Sequence, residues 1–190
     1  MTKAELRKLY LQKRRELSIS EIADASKQIA ERFFREIDLD DVKSLSTFVR
    51  IPKFNEVDTS AIYYRLWKDR PCIRTYAPKA DLDSGELENL TLFPDTPLRQ
   101  NRWGIREPIS GEAIAPESLD AVIVPLICVD TAGHRVGYGK GFYDRFLAKC
   151  RPGCLKIGVN YFAPVEDRIG ADEYDVELDA CVTPEGTYRF

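Results

Sequence analysis

Apolar residues recur at helical spacing twice at the start of the chain. Thr2-Lys3-Ala4-Glu5 has the form of a capping box, and Leu6, Leu9, Tyr10 and Leu17 follow on one helical face. Ser18 to Glu21 repeats the signature and predicts a second helix with Ile22, Ala25, Ile29, Phe33 and Ile37 on one side. The period then shortens. Over 43–50, Leu45, Thr47 and Val49 alternate as in a strand. Glu56-Val57-Asp58-Thr59 leads into a third helix through Ile62 and Leu66, and 72–76 reads as the next strand. Residues 77–117 are richer in proline, glycine and acids, with at least one short strand near 90–93. The run 121–129 is almost continuously apolar, which predicts a strand covered on both faces. A glycine-rich loop follows, then a helix over 142–150 and strands at 155–160 and 179–182. This alternation predicts an α/β fold in a single domain spanning 1–190. Its mostly parallel central sheet would be flanked by helices on both faces, in three layers. Ligands of such sheets bind beyond the carboxyl ends of the strands. The loop after 121–129 stands at such a place.

That loop carries the chemistry. Gly133-His134-Arg135-Val136-Gly137-Tyr138-Gly139-Lys140-Gly141-Phe142-Tyr143-Asp144-Arg145 combines glycines, cations, aromatics and one carboxylate. Glycines let backbone N–H groups approach phosphate oxygens, and a following helix N-terminus adds positive potential. Arg135 and Lys140 would neutralise charge that backbone dipoles cannot, and Asp144 is spaced to hold a divalent cation beside the phosphates. The generic nucleotide fingerprints do not match. A Walker A loop would need glycine where Tyr138 stands and Ser/Thr after Lys140, and G-x-G-x-x-G would need glycine at Phe142. A glycine turn that merely joins strand to helix is the plain alternative.

Composition narrows the partners. The 190 residues carry a net charge of -3, with no apolar run of membrane-spanning length and a charged, helical start unlike a signal peptide. A cytoplasmic protein with no membrane association is expected. Five cysteines, an odd number, point to reduced thiols, and Cys150 and Cys154 lack a second Cys/His pair for zinc. Residues 1–16 and 133–151 each carry a net of +4, and 165–179 a net of -6. Each run alone is usually a solvated face. The two basic runs would make one anion site if they met in space. Overall acidity and the lack of a reading motif argue against nucleic acid, and no obligate protein partner is inferred.

The run 120–125, Asp-Ala-Val-Ile-Val-Pro, followed by the glycine loop ending in Tyr143-Asp144, resembles the 5-formyltetrahydrofolate cyclo-ligase family. The resemblance extends over nearly the whole chain. It includes Lys3-x-x-x-Arg7, the 56–59 segment, Trp103-Gly104-Ile105-Arg106-Glu107-Pro108 and Tyr174-Asp175-Val176. It implies an enzyme that closes the ring of 5-formyltetrahydrofolate to 5,10-methenyltetrahydrofolate with ATP as co-substrate and Mg2+ as cofactor. Its small-molecule partners would be ATP and a reduced folate. Carried over by position, Lys3 and Arg7 would contact ATP, as would Arg135, Gly137, Tyr138, Gly139, Lys140, Gly141, Phe142 and Tyr143. Ile51, Glu56, Tyr138 and Phe142 would bind the folate, and Asp144 and Asp175 would hold Mg2+. The chain departs from the family pattern at Phe142, Tyr174 and Pro164, where tyrosine, histidine and glutamine are common.

Lys140 and Arg135 are the candidate catalytic residues, stabilising a migrating phosphoryl group. Other residues have bland readings beside the functional ones. Trp103 would stack on the pterin or p-aminobenzoyl ring, or be a core aromatic. Glu56 would bond the pterin amide edge, or only precede a helix. Tyr138 and Phe142 are folate contacts or loop packing. Asp144 holds a metal, or pairs with Arg145 or Lys140. His134 reads as an exposed turn residue, and Lys3 as a surface lysine unless its helix lies against the loop. Rival functions are a non-catalytic folate or nucleotide binder on the same fold, and, by fold analogy alone, a sugar-phosphate isomerase or acyl-CoA transferase.

Overall fold

The computed structural model describes residues 1–81, 83–102 and 104–190. Both capping boxes form. In α1 (Lys3–Glu16) the Thr2 hydroxyl accepts from the Glu5 amide while the Glu5 carboxylate accepts from Thr2 N. Ser18 and Glu21 do the same for α2 (Ile19–Glu36). Then come β1 (Ser44–Ser46), α3 (Ser60–Asp69), β2 (Arg74–Ala80), β3 (Leu87–Thr91), β4 (Leu98–Gln100), β5 (Arg106–Pro108) and β6 (Ala113–Ile114). The second half holds β7 (Ala121–Pro125), β8 (Cys128–Val129), β9 (Arg135–Val136), α4 (Phe142–Leu147), β10 (Leu155–Val159), β11 (Ala180–Val182) and β12 (Thr187–Arg189).

Eight strands form one sheet in the order β12-β11-β10-β7-β1-β2-β3-β6. From β11 to β2 every pairing is parallel; β12, β3 and β6 join antiparallel at the edges. The sheet is therefore mixed but mostly parallel. Central β7 shows why its residues read as a continuous apolar run. Ala121 and Ile123 face α2 and α3, whereas Val122 and Val124 face α4, and all four are fully buried. Gly158 on β10 has no room for a side chain, because an added Cβ would lie 2.7 Å from both Leu126 and Leu178.

The expected strand over 121–129 is in fact two. It leaves the sheet after Pro125, and β8 pairs antiparallel with β9 in a small hairpin. Residues 126–129 stay apolar because they are buried, with Ile127, Cys128 and Val136 packed under Leu6 and Tyr10 of α1. Hydrophobic continuity there records burial rather than one straight strand. The helix expected over 142–150 ends at Leu147. No helix among the described residues is long and apolar enough to cross a membrane.

Candidate functional site

Because β1, β2 and β7 run parallel, their carboxyl ends open at one edge of the sheet. The β8–β9 hairpin carries the glycine loop across that edge, and α1 packs on the hairpin. The two basic segments consequently meet. Arg7 Nε donates to the Gly137 carbonyl at 2.8 Å. Between these elements lies a cleft of about 780 Å³, within the range of small-molecule sites. Lys3 and Arg7 of α1, Arg135 of β9, and the loop from Gly137 to Asp144 line it. Asp172 and Asp175 close one side, while Ile51, Phe54 and Glu56 line another. Gly139 and Gly141 adopt left-handed backbone (φ 85° and 68°), which bends the loop around the opening. Gly141 is the N-cap of α4 and supplies no side-chain cap. With six residues α4 has a small dipole, so side-chain cations contribute most of the positive potential.

Two cations on the wall face carboxylates. Arg135, its side chain only 5% exposed, bonds Asp144 Oδ1 at 2.5 Å and the Val176 carbonyl. Burial pulls its pKa down against the pull of Asp144, but a guanidinium stays charged. Lys3 bonds Asp172 at 2.8 Å and Asp175. Burial alone would lower the Lys3 pKa; the two carboxylates outweigh it, and the ammonium is held above its ordinary range. Burial likewise works to raise Asp175, yet Lys3 and the Asp172 amide bring it below its ordinary value. These hydrogen bonds run to Asp144 Oδ1 and Asp175 Oδ2. Carboxylates are hard oxygen donors, so Asp144 and Asp175 are the residues that could hold a divalent cation such as Mg2+. Among the described residues no group of three or more His, Cys, Asp or Glu side chains gathers to hold a metal.

On the other wall, Glu56 is 3% exposed. Its carboxyl accepts the Ile51 amide at 2.6 Å. Burial pushes the Glu56 pKa up, opposed by the nearby Tyr138 hydroxyl, the Ile51 amide and the charge of Arg14. Burial, then the nearby Glu56, push the Tyr138 phenol up as well. The Tyr138 and Phe54 rings lie 5.1 Å apart between centroids, forming an aromatic edge against which a flat heterocycle can rest.

All the site residues expected from the sequence come together here except one. Lys3, Arg7, Ile51, Glu56, Arg135, Gly137, Tyr138, Gly139, Lys140, Gly141, Phe142, Tyr143, Asp144 and Asp175 line the one cleft. Trp103 lies outside the described residues. Lys3 is not a plain surface lysine, and Asp144 pairs with Arg135, a partner its neighbours in sequence did not suggest. His134 is not the exposed turn residue expected: its side chain is half-buried, 3.5 Å from Glu177. Sequence reasoning missed Phe48, Phe54, Pro78, Ile105 and Arg106 on the cleft walls. Phe48 and Ile105 sit on connections and Phe54 in a short 3-10 turn, while Pro78 on β2 and Arg106 at the start of β5 lie in strands whose pattern does not mark a cleft. It also passed over Arg14, whose burial no helical pattern foretells.

Comparisons with known proteins identify the family. A model of the 5-formyltetrahydrofolate cyclo-ligase family matches residues 1–184. The 5-formyltetrahydrofolate cyclo-ligase of Escherichia coli strain K12 is 29% identical over 187 residues, covering 94% of this chain and 98% of that protein. The NMR structure of Aquifex aeolicus 5,10-methenyltetrahydrofolate synthetase superposes with a TM-score of 0.83 at 31% identity, covering 100% of this chain and 93% of that one. A 5,10-methenyltetrahydrofolate synthetase from Mycoplasma pneumoniae gives 0.77 at 25% identity, covering 97% and 99%. The chain belongs to the 5-formyltetrahydrofolate cyclo-ligase family, and is an enzyme of the ligase class.

Proposed function

We propose that this enzyme closes the ring of 5-formyltetrahydrofolate to 5,10-methenyltetrahydrofolate, using ATP and Mg2+ and releasing ADP and phosphate. One observation carries the reading. A single cleft gathers the cations Lys3, Arg7, Arg135 and Lys140 and the carboxylates Asp144 and Asp175 opposite an acidic and aromatic wall at Glu56, Tyr138 and Phe54. The first group suits a triphosphate, and the second suits a pterin with its N–H edge toward a carboxylate.

N10 of the folate must attack the N5 formyl carbon and expel its oxygen, which is a very poor leaving group. Transfer of the γ-phosphoryl to that oxygen breaks the terminal P–O bond of ATP and makes an imidate-like phosphate. N10 then bonds to the carbon, loses its proton, and the oxygen departs as phosphate. In this scheme the chain's task is positioning and charge stabilisation. The Gly137 to Gly141 backbone and Arg7 orient the triphosphate, and Lys140 and Arg135 stabilise the charge that moves with the phosphoryl group. Asp144 and Asp175 would hold Mg2+, which when bound neutralises phosphate charge. Phosphate binding then exchanges partners: Lys3 and Arg135 turn from carboxylates toward nucleotide oxygens. Glu56, Ile51, Tyr138 and Phe142 hold the folate so that its formyl oxygen faces the phosphates.

Calorimetric titration with ATP–Mg and with 5-formyltetrahydrofolate, followed by phosphate release in the presence of both, tests the reading. Binding of each ligand and release of phosphate only when both are present are expected. Binding without release would make the chain a folate- and nucleotide-binding protein instead.

A further inference from the structure

Arg145 follows Asp144 on α4, yet that carboxylate goes to Arg135, and among the described residues no carboxylate pairs with Arg145. Its guanidinium turns instead to main-chain carbonyls on two different segments. Nε and Nη2 donate to the Gly85 carbonyl at 3.2 and 2.8 Å, and Nη2 also reaches the Lys140 carbonyl at 3.2 Å. Gly85 lies in the turn between β2 and β3, and Lys140 in the glycine loop. Two glycines make room for the group. An added Cβ would lie 2.7 Å from Nη2 at Gly85 and 2.8 Å from Nη1 at Gly141, and both residues have left-handed backbone (φ 75° and 68°). The guanidinium also lies over the Phe142 ring, 5.5 Å from its centroid. Lys149 ties the same turn through Glu86 at 2.5 Å but makes no hydrogen bond to the loop.

Arg145 is exposed and lines no part of the cleft, so its bonds gain little over those to water and its charge touches no ligand there. What the bonds do is fix one peptide plane. The Lys140–Gly141 peptide is trans, so the Gly141 N–H points away from the Lys140 carbonyl that shares its plane. Both residues line the cleft, and no acceptor among the described residues takes that N–H.

We propose that Arg145 is a positioning residue for the phosphate-binding loop: it anchors the Lys140 carbonyl to the β2–β3 turn so that the Gly141 N–H faces the triphosphate. The inference rests on the nucleotide reading given above. Glycines leave the loop backbone free to rotate, and ordering it only when the ligand arrives would cost affinity. Arg145 sets the orientation beforehand.

The test is 1H–15N NMR of the full chain, with the Gly141 amide assigned from backbone spectra, beside calorimetric titration with ATP–Mg. In the wild type the Gly141 amide proton should move downfield as ATP–Mg binds, because it gains a phosphate acceptor. In Arg145→Met that movement should be lost and the Kd for ATP–Mg should rise about tenfold, with affinity for 5-formyltetrahydrofolate near that of the wild type. Lys149→Met removes a neighbouring cation and the other tie to the turn, and should bind ATP–Mg as the wild type does. A Gly141 amide that still moves downfield in Arg145→Met, whatever the affinity, overturns the proposal, as does an equal loss of ATP affinity in Lys149→Met. Should Arg145→Met not fold, Arg145→Gln has no atom in the place of Nη2 and must show the same loss; an unchanged response there also overturns it. A wild type that binds ATP–Mg without moving the Gly141 amide overturns this proposal alone. A wild type that binds no ATP–Mg contradicts the nucleotide reading and takes the proposal with it.

Discussion

Lys140 and Glu56 both line the cleft, one exposed and one buried, and their substitutions should differ accordingly. Lys140→Met removes the cation proposed to stabilise the migrating phosphoryl group. It should lower kcat by about 10²- to 10³-fold while thermal unfolding stays close to that of the wild type. Unchanged turnover contradicts the role. Glu56→Gln keeps the shape and removes the buried charge. Because burial raises the Glu56 pKa in the folded chain, the folded state favours the protonated form. The wild type therefore loses stability as pH rises through that folded value and shows no such loss below the ordinary carboxylate value. Glu56→Gln should melt a few degrees higher than the wild type at neutral and alkaline pH, with the gap closing toward pH 4.5, and it should bind 5-formyltetrahydrofolate more weakly. Melting scans across pH check the first outcome; a gap independent of pH would show that Glu56 is not the group responsible. Both residues were visible in the sequence as candidates. Arg14 was not, since a cation among other cations on a polar helix carries no mark of burial.

At the level of elements, the amino ends of β1 and β7 are joined by one side chain. Asp120 accepts the amides of Lys43 and Ser44 and the Ser44 hydroxyl, and it pairs with Arg151 at 2.6 Å. Burial works to raise its pKa, but those donors prevail and hold it below the ordinary 3.8. Its contribution is thus fully present above that value and is lost as pH falls through the lower folded one. Asp120→Ala should cost about 2–3 kcal/mol in chemical denaturation. The cleft opens at the other end of the strands, so KM for both substrates should not change. Gly158→Ala tests packing in β10: its Cβ would meet two leucine side chains at 2.7 Å, and a loss of about 1–3 kcal/mol is expected. A Gly158→Ala chain as stable as the wild type would show that Leu126 and Leu178 move aside freely. The two capped helices were legible residue by residue, because capping boxes and a 3.6-residue period are local signals. The break after Pro125 was not, since a strand and a buried hairpin both demand apolar residues. β4, β5, β6 and β12 are two or three residues long, too short for alternation to show against the background.

The whole molecule is a parallel-centred sheet whose helices cover both faces and leave one edge for the site. That architecture follows from strands and helices alternating along the chain. The order of strands does not, because the placement of β7 between β1 and β10 is settled by long-range packing that no local pattern records. Likewise the glycine loop announced its chemistry, but only the fold shows that α1 lies against it and brings Arg7 to Gly137. The carboxylates of the acidic 165–179 run enter the site for the same reason, through Asp172 and Asp175 on Lys3. The central claim is that this one cleft holds nucleotide and folate together and couples their chemistry. The most direct measurement mixes purified protein with ATP, Mg2+ and 5-formyltetrahydrofolate, follows the absorbance of methenyltetrahydrofolate, and counts ADP formed in the same tube. Product and ADP should appear in equal amounts and only when all components are present. No methenyl signal above a control lacking protein, or ADP formed without it, would contradict the account.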